Sequence, residues 1–415
     1  MGDHEGADIT YAHMITPEEE PSNIQKYYKG SVIFITGGSG FLGTLLIEKL
    51  LRSCHELSKI YVFMREKRGI DPQRRLENLC NDNIFERVLQ EQPNSFEKLF
   101  VIKGDCELPD LGLSEDDRNK LIEEVDVVFH TAAALRFNEK LKKSVLVNVK
   151  CTRDLLKLAR SMQKLRSFVH VSSAFVHCIR KEIDECFYDS PIDAEKLISI
   201  VDVLNDRQVD LLTPELVEPW PNIFVYTKAV AESVIRTYGK GLPVSIHRPS
   251  IIISTTKEPV CGWMNNLYGI AGLVAQIGLG IMHVLYTEPE LRAELVPADY
   301  CANAIIVSAW QSGSLLCDNL NQETVKGQIV FDDLKVQDNI PIYNFVSSVE
   351  RPITWGEMRK LCLNFASKTP CDNAMYHVFL IFTKNTYLFR ICHFLFHTLQ
   401  CVIMESLSGF FGMEI

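Results

Sequence analysis

The 415-residue chain has no excess of basic residues: 43 Lys and Arg stand against 53 Asp and Glu, for a net charge of −10. A nucleic-acid partner is therefore excluded, because such binders carry cations to offset phosphates. The 13 cysteines include no CxxC pair and no Cys/His cluster at zinc spacing, so no metal site is expected. Scattered singly at Cys54, Cys80, Cys106, Cys151, Cys178 and beyond, they read as buried thiols in a reducing compartment. Residues 1–29 lack the apolar stretch of a secretory signal. Gly2 is followed by Gly6 where a myristoylation signal needs Ser or Thr. Those 29 residues read as a flexible leader, and the bulk of the chain is expected to face the cytosol. No internal repeat or low-complexity block interrupts the rest.

What is present is a globular composition, 47% hydrophobic and 23% charged, in a chain long enough for a nucleotide-binding domain plus a substrate region at ~100–200 residues per domain. Residues 31–36 form a short apolar run that fits a buried strand. Phe41, Leu42, Leu45, Leu46 and Leu50 then recur at helical spacing, and residues 60–64 supply the next strand. Further runs at 99–102, 125–130, 168–171 and 244–247 alternate with helical stretches such as 152–163. Such alternation predicts an α/β fold with a parallel sheet covered on both faces.

Between the first strand and first helix lies Thr36-Gly37-Gly38-Ser39-Gly40-Phe41-Leu42-Gly43. Glycines there let the backbone turn sharply and approach a pyrophosphate, whose charge rests on the free N–H groups of the helix start. The turn Gly37, Ser39, Gly40, Phe41, Leu42 and Gly43 is thus assigned to the cofactor, in a Rossmann-type doubly wound sheet. After the second strand comes Met64-Arg65-Glu66-Lys67 rather than a lone acid. Arg65 can pair with a 2′-phosphate, which favours NADP, although Glu66 stands beside it. Asp105 follows the third strand, where it either reaches the adenine or caps its own turn.

Several ordered motifs resemble the alcohol-forming fatty acyl-CoA reductases among the extended short-chain dehydrogenase/reductases. They are the glycine turn, Gly104-Asp105 with Leu111-Gly112-Leu113-Ser114, Phe129-His130-Thr131-Ala132-Ala133 through Arg136-Phe137-Asn138-Glu139, and His170-Val171-Ser172-Ser173. Trp220-Pro221-Asn222, Thr227-Lys228-Ala229 with Ala231-Glu232, Arg248-Pro249-Ser250-Ile251, Gly262-Trp263, Asn266 and Pro297-Ala298-Asp299 continue the series to about residue 360. The resemblance implies NADPH-dependent reduction of a long-chain fatty acyl-CoA, through an aldehyde, to a fatty alcohol, as in wax biosynthesis. It also implies attachment to a peroxisomal or endoplasmic-reticulum membrane. The domains expected are a leader (1–29), an NADP-binding domain (30–255), a substrate region interwoven with it (256–360) and a short, mostly helical apolar C-terminal segment (361–415).

The family pairs a Ser or Thr with Tyr and Lys spaced YxxxK, one helix face presenting the last two. In that set the lysine binds ribose and lowers the phenol pKa. Here Ser173 and Lys228 are in place, but Phe224 stands four residues before the lysine. Tyr226 lies roughly 200° around the helix from Lys228, at about 100° per residue, and so points away, a weak substitute at best. Two readings stay open: a slow reductase using Ser173 and water, or an NADP- and acyl-CoA-binding protein with little or no catalysis.

Residues 266–286 carry no charge over 21 positions, enough to span a bilayer, yet Gly269, Gly272, Gly278 and Gly280 favour a buried helix of the substrate region. Basic residues that the family often has near Gly278, Gly280 and His283 are absent. The last apolar run, 391–404, is short for a span and reads as an interfacial element at a lipid surface.

Overall fold

The computed structural model describes residues 20–324 and 340–403. Its strands are β1 (Val32–Thr36), β2 (Lys59–Met64), β3 (Leu99–Lys103), β4 (Val127–His130), β5 (Ser167–Val171), β6 (Val244–Pro249), β7 (Ile251–Ile253), β8 (Val284–Tyr286), β9 (Leu295–Pro297), β10 (Ile342–Phe345) and β11 (Ile381–Thr383). Seven form one sheet in the order β10-β6-β5-β4-β1-β2-β3, all pairings parallel. The chain reverses direction across the sheet between β1 and β4. In such sheets ligands bind where the order reverses, beyond the C-terminal strand ends.

The sheet is buried on both faces, as the continuous apolar runs require. Alternate side chains of β1 go to opposite sides. Ile33 and Ile35 join Leu46 and Leu50 of the helix Phe41–Ser53 and Ala302 and Ile306 of the long helix Ala298–Thr324. Phe34 joins Val149, Leu155 and Val230 on the other face. The observed architecture is thus the doubly wound α/β fold expected, including β10, which closes one edge against β6.

Order begins before the expected boundary at residue 30. A capping box between Ser22 and Gln25 starts the helix Asn23–Tyr28, and the fully buried Tyr28 donates its hydroxyl to Ile306 O at 2.8 Å. Residues 1–19 of the expected leader lie outside the described residues. The thiols also divide more evenly than expected: Cys54, Cys151, Cys301 and Cys392 are buried, but Cys178, Cys186, Cys261, Cys371 and Cys401 are exposed.

The uncharged run 266–286 is not one buried helix. Only Ile270–Gly278 is helical, with Gly272 and Ile277 buried, because Gly269 and Gly280 take positive φ (58° and 68°) and break the run at both ends. Its last residues form β8, which pairs with β11. The tail docks there through His283, stacked on Phe379 at 4.2 Å, with its backbone N–H donating to His397 Nε2 at 3.1 Å. Among the described residues no helix is long and apolar enough to cross a membrane.

Candidate functional site

At the end of β1 the chain turns through Gly37 at φ 75°, and a methyl group there would sit 2.6 Å from Ala132 N. A Cβ on Gly43 would collide with the Gly37 carbonyl, so helix and turn pack in backbone contact. Gly40 N-caps the helix without a side chain, and no acid lies in its first turn. The first helical N–H groups are therefore left for an outside anion. Phe41, the first helical residue, stacks on Trp263 at 5.4 Å and 18°.

Arg65 is exposed beyond β2, with Nη1 3.3 Å from Asp105 Oδ2 and 3.4 Å from Glu107 Oε1. Asp105 gives its other oxygen to Glu107 N–H at 3.0 Å, so it caps its own turn as well as facing Arg65. A residue that sequence reasoning passed over joins them. Arg75 donates to Ser39 Oγ at 2.8 Å and to Arg65 O at 2.6 Å, and burial, then Arg65, lowers its pKa. Two guanidinium groups thus flank the glycine turn, which is the chemistry a phosphate requires.

The second half of the site gathers at the end of β5. Asn222 caps the helix Ile223–Tyr238 by accepting from Val225 N–H at 3.1 Å. That helix presents Lys228, which is buried and donates to Val171 O at 2.7 Å. Burial drops the ammonium to about 8, with Glu232 and Cys151 opposing the drop. Ser173 lies two residues beyond Val171. Its Oγ accepts from Phe175 N–H at 3.3 Å, and among the described residues it makes no hydrogen bond to Lys228. Phe224 is half-buried with its ring 6.2 Å from Phe137. Tyr226 turns into the core, 6.1 Å from Trp220. Its hydroxyl has no partner among the described residues, and burial pushes it up to about 12. It is no stand-in for the missing phenol.

Glu232, one helical turn after Lys228, was visible only as part of a motif. Arg248 grips it with two bonds of 2.8 and 2.6 Å, and Ser172 and His177 complete its shell at 2.6 and 3.2 Å. Burial would raise this carboxyl, but Arg248, His177 and Ser172 hold it low. Arg248 also binds Asp184 O and Cys186 O, so the pair ties β6, the lysine helix and the 184–186 segment together. Removing either partner of so buried a pair costs roughly 3–5 kcal/mol. Asn148, in a π-type turn at Leu146–Lys150, accepts from Ala134 N–H at 2.8 Å and donates to Thr227 Oγ1 at 2.9 Å. Such local widening re-aims a side chain at functional sites. An open cleft of about 460 Å³, lined by Phe137, Val217, Trp220 and Ile223 together with the polar Thr213, Glu218 and Asn222, lies next to Phe224 in the chain.

A family model described as "Male sterility protein" matches residues 35–305. The chain is 34% identical over 404 residues to fatty acyl-CoA reductase wat of Drosophila melanogaster, covering 97% of this chain and 74% of that protein. It is 37% identical over 368 residues to fatty acyl-CoA reductase 1 of Homo sapiens, covering 89% and 68%. A solved reductase domain of a nonribosomal peptide synthetase from Mycobacterium tuberculosis superposes with a TM-score of 0.57 at 20% identity over 90% of this chain and 76% of that one, a likeness of fold. The chain belongs to the fatty acyl-CoA reductase family, oxidoreductases built on a nicotinamide-dinucleotide-binding domain.

Proposed function

We propose that the protein reduces long-chain fatty acyl-CoA with NADPH, through an aldehyde to the fatty alcohol, and does so slowly. The observation that carries this reading is the glycine turn flanked by Arg65 and Arg75 on one side, with Lys228 held at the end of β5 on the other. Gly37, Gly40 and Gly43 would take the pyrophosphate, Arg65 and Arg75 the 2′-phosphate, and Lys228 the ribose. Asp105 would face the adenosine. Bound NADPH would supply the hydride. Ser173 would then hydrogen-bond the carbonyl oxygen as charge develops on it, and the Phe137, Val217, Trp220 and Ile223 side of the cleft would receive the acyl chain. Phe224 removes the proton donor from this set and favours the second reading, a catalytically weak or inactive NADP- and acyl-CoA-binding protein. NADPH consumption with palmitoyl-CoA, against a Lys228→Met control, decides between them.

The tail supports contact with a lipid surface. Tyr387, Leu388, Ile391, Phe394, Leu395 and Val402 are exposed on the helix Thr386–His393 and the turns after it. Residues 373–404 contain no Asp or Glu, while Lys384 and Arg390 are present. An apolar face flanked by cations lies in a membrane interface rather than across it. The expected surface is that of the peroxisome or endoplasmic reticulum, with the catalytic part in the cytosol. Flotation with anionic vesicles should carry the protein upward, and Ile391→Glu with Phe394→Glu should leave it at the bottom; flotation unchanged by the pair would refute this placement.

A further inference from the structure

Beyond β2 the chain makes a two-residue hairpin. Lys67 N–H donates to Ile70 O, and Ile70 N–H returns to Lys67 O, both at 3.1 Å, with Arg68 at φ 55° and Gly69 at φ 74°. This is a type I′ turn, in which a non-glycine residue such as Arg68 is strained. The turn holds Lys67 and Arg68 out in solvent. From the segment after β4, Arg136 donates Nη2 to the Tyr268 hydroxyl at 3.3 Å, its guanidinium 6.0 Å from the ring centroid. Tyr268 belongs to the stretch 262–269, whose other end places Trp263 on Phe41. Hydrogen bonding from Arg136 lowers the Tyr268 phenol pKa, and the Lys67 and Arg68 charges lower it further. Three cations from two separate loops therefore act on one hydroxyl.

None of the three makes an ion pair among the described residues. Glu139, which acts on Arg136, is already bonded to Lys143 at 3.1 Å. The cofactor phosphates, on the reading above, have the glycine turn, Arg65 and Arg75. Within the substrate region, the long stretch 258–291 that includes Tyr268 contains no Lys or Arg of its own. Arg136 adjoins Phe137, whose ring contacts Phe224, so the cation cluster and the reacting end of the cleft are connected by one short segment.

Resting on the acyl-CoA reading, we propose that Arg136, Lys67, Arg68 and Tyr268 form the binding site for the phosphates of the acyl carrier, the diphosphate and 3′-phosphate of coenzyme A. The pantetheine arm then runs past Phe137 towards Phe224. Arg136 exchanges its bond to Tyr268 for a forked contact with phosphate oxygens, and the freed hydroxyl donates to another.

The test is equilibrium binding of palmitoyl-CoA, of palmitoyl-pantetheine without the nucleotide, and of NADPH. The full chain is used as wild type, as Arg136→Ala, and as Lys67→Ser with Arg68→Gly. All three positions are exposed, and glycine suits the φ at position 68, so the fold is spared. Each variant should weaken palmitoyl-CoA about tenfold, the scale of one lost charge-assisted hydrogen bond, and leave the other two ligands unchanged. Weakened NADPH would assign the cations to the cofactor, and unchanged palmitoyl-CoA would assign them to neither; both results overturn the site. A wild type that binds the two thioesters equally refutes the phosphate site alone, whereas one that binds neither refutes the acyl-CoA reading with it.

Discussion

Around the turn 37–43 an added methyl group at Gly37 or Gly43 would collide with backbone. Around Phe224 the ring rests against Phe137 beside an open cleft. The first surface is fixed by close packing, with Ser39 tied to Arg75 and Lys228 to Val171. The second is walled by Phe137, Val217, Trp220 and Ile223 with Glu218 at its rim, and no phenol faces it among the described residues, because the nearby tyrosine, Tyr226, lies in the core. A reduction needs a hydride and a proton, and here the two requirements part company. Cofactor recognition should survive the loss of a phenol, since none of the residues proposed to hold the dinucleotide stands at position 224.

The substitution Phe224→Tyr would abolish this difference. It should raise the reductase rate by about 10²–10⁴, the usual value of a positioned acid, with NADPH affinity unchanged; steady-state kinetics check it, and an unaltered rate would mean that the proton comes from elsewhere. From the dinucleotide side, Arg75→Ala should weaken NADPH about tenfold and leave NADH untouched, as one charge-assisted contact is lost. Paired titrations with the two cofactors would expose an equal loss, which would make Arg75 a structural strut. The smallest effect is on pH dependence. Lys228, lowered to about 8, is charged below that pH, so NADPH affinity should fall several-fold as pH rises past it. Its contribution to stability has the opposite sign. A lysine lowered from about 10.4 penalises the folded state while charged, so stability from this group rises between about pH 8 and 10. Lys228→Met should flatten both profiles, measured by cofactor titration and thermal melting.

The strands β1 to β6 were legible because each is a short apolar run next to turn residues, and burial on both faces demands such runs. β10 was not, since Ile342–Phe345 is mostly half-buried at the sheet edge and its pattern carries no clear period. The glycine turn announced itself by its place between strand and helix. Arg75 did not, as it lies ten residues beyond Arg65 and reaches Ser39 only because the chain folds back. Glu232 and Arg248 stood in the sequence as separate motif residues, 16 positions apart. Their pairing depends on β6 lying beside the lysine helix, which only the assembled sheet provides. The run 266–286 misled because hydropathy records the absence of charge, whereas the backbone there obeys two glycines at positive φ.

The central question is whether a cofactor site without its phenol still turns over. NADPH oxidation should therefore be followed with saturating palmitoyl-CoA for the wild-type chain and for Lys228→Met. The proposed reduction should give slow oxidation in the wild type, with fatty aldehyde and alcohol formed in step, and none above background in the variant. Equal rates in the two proteins, or NADPH that binds and is never consumed, would contradict it.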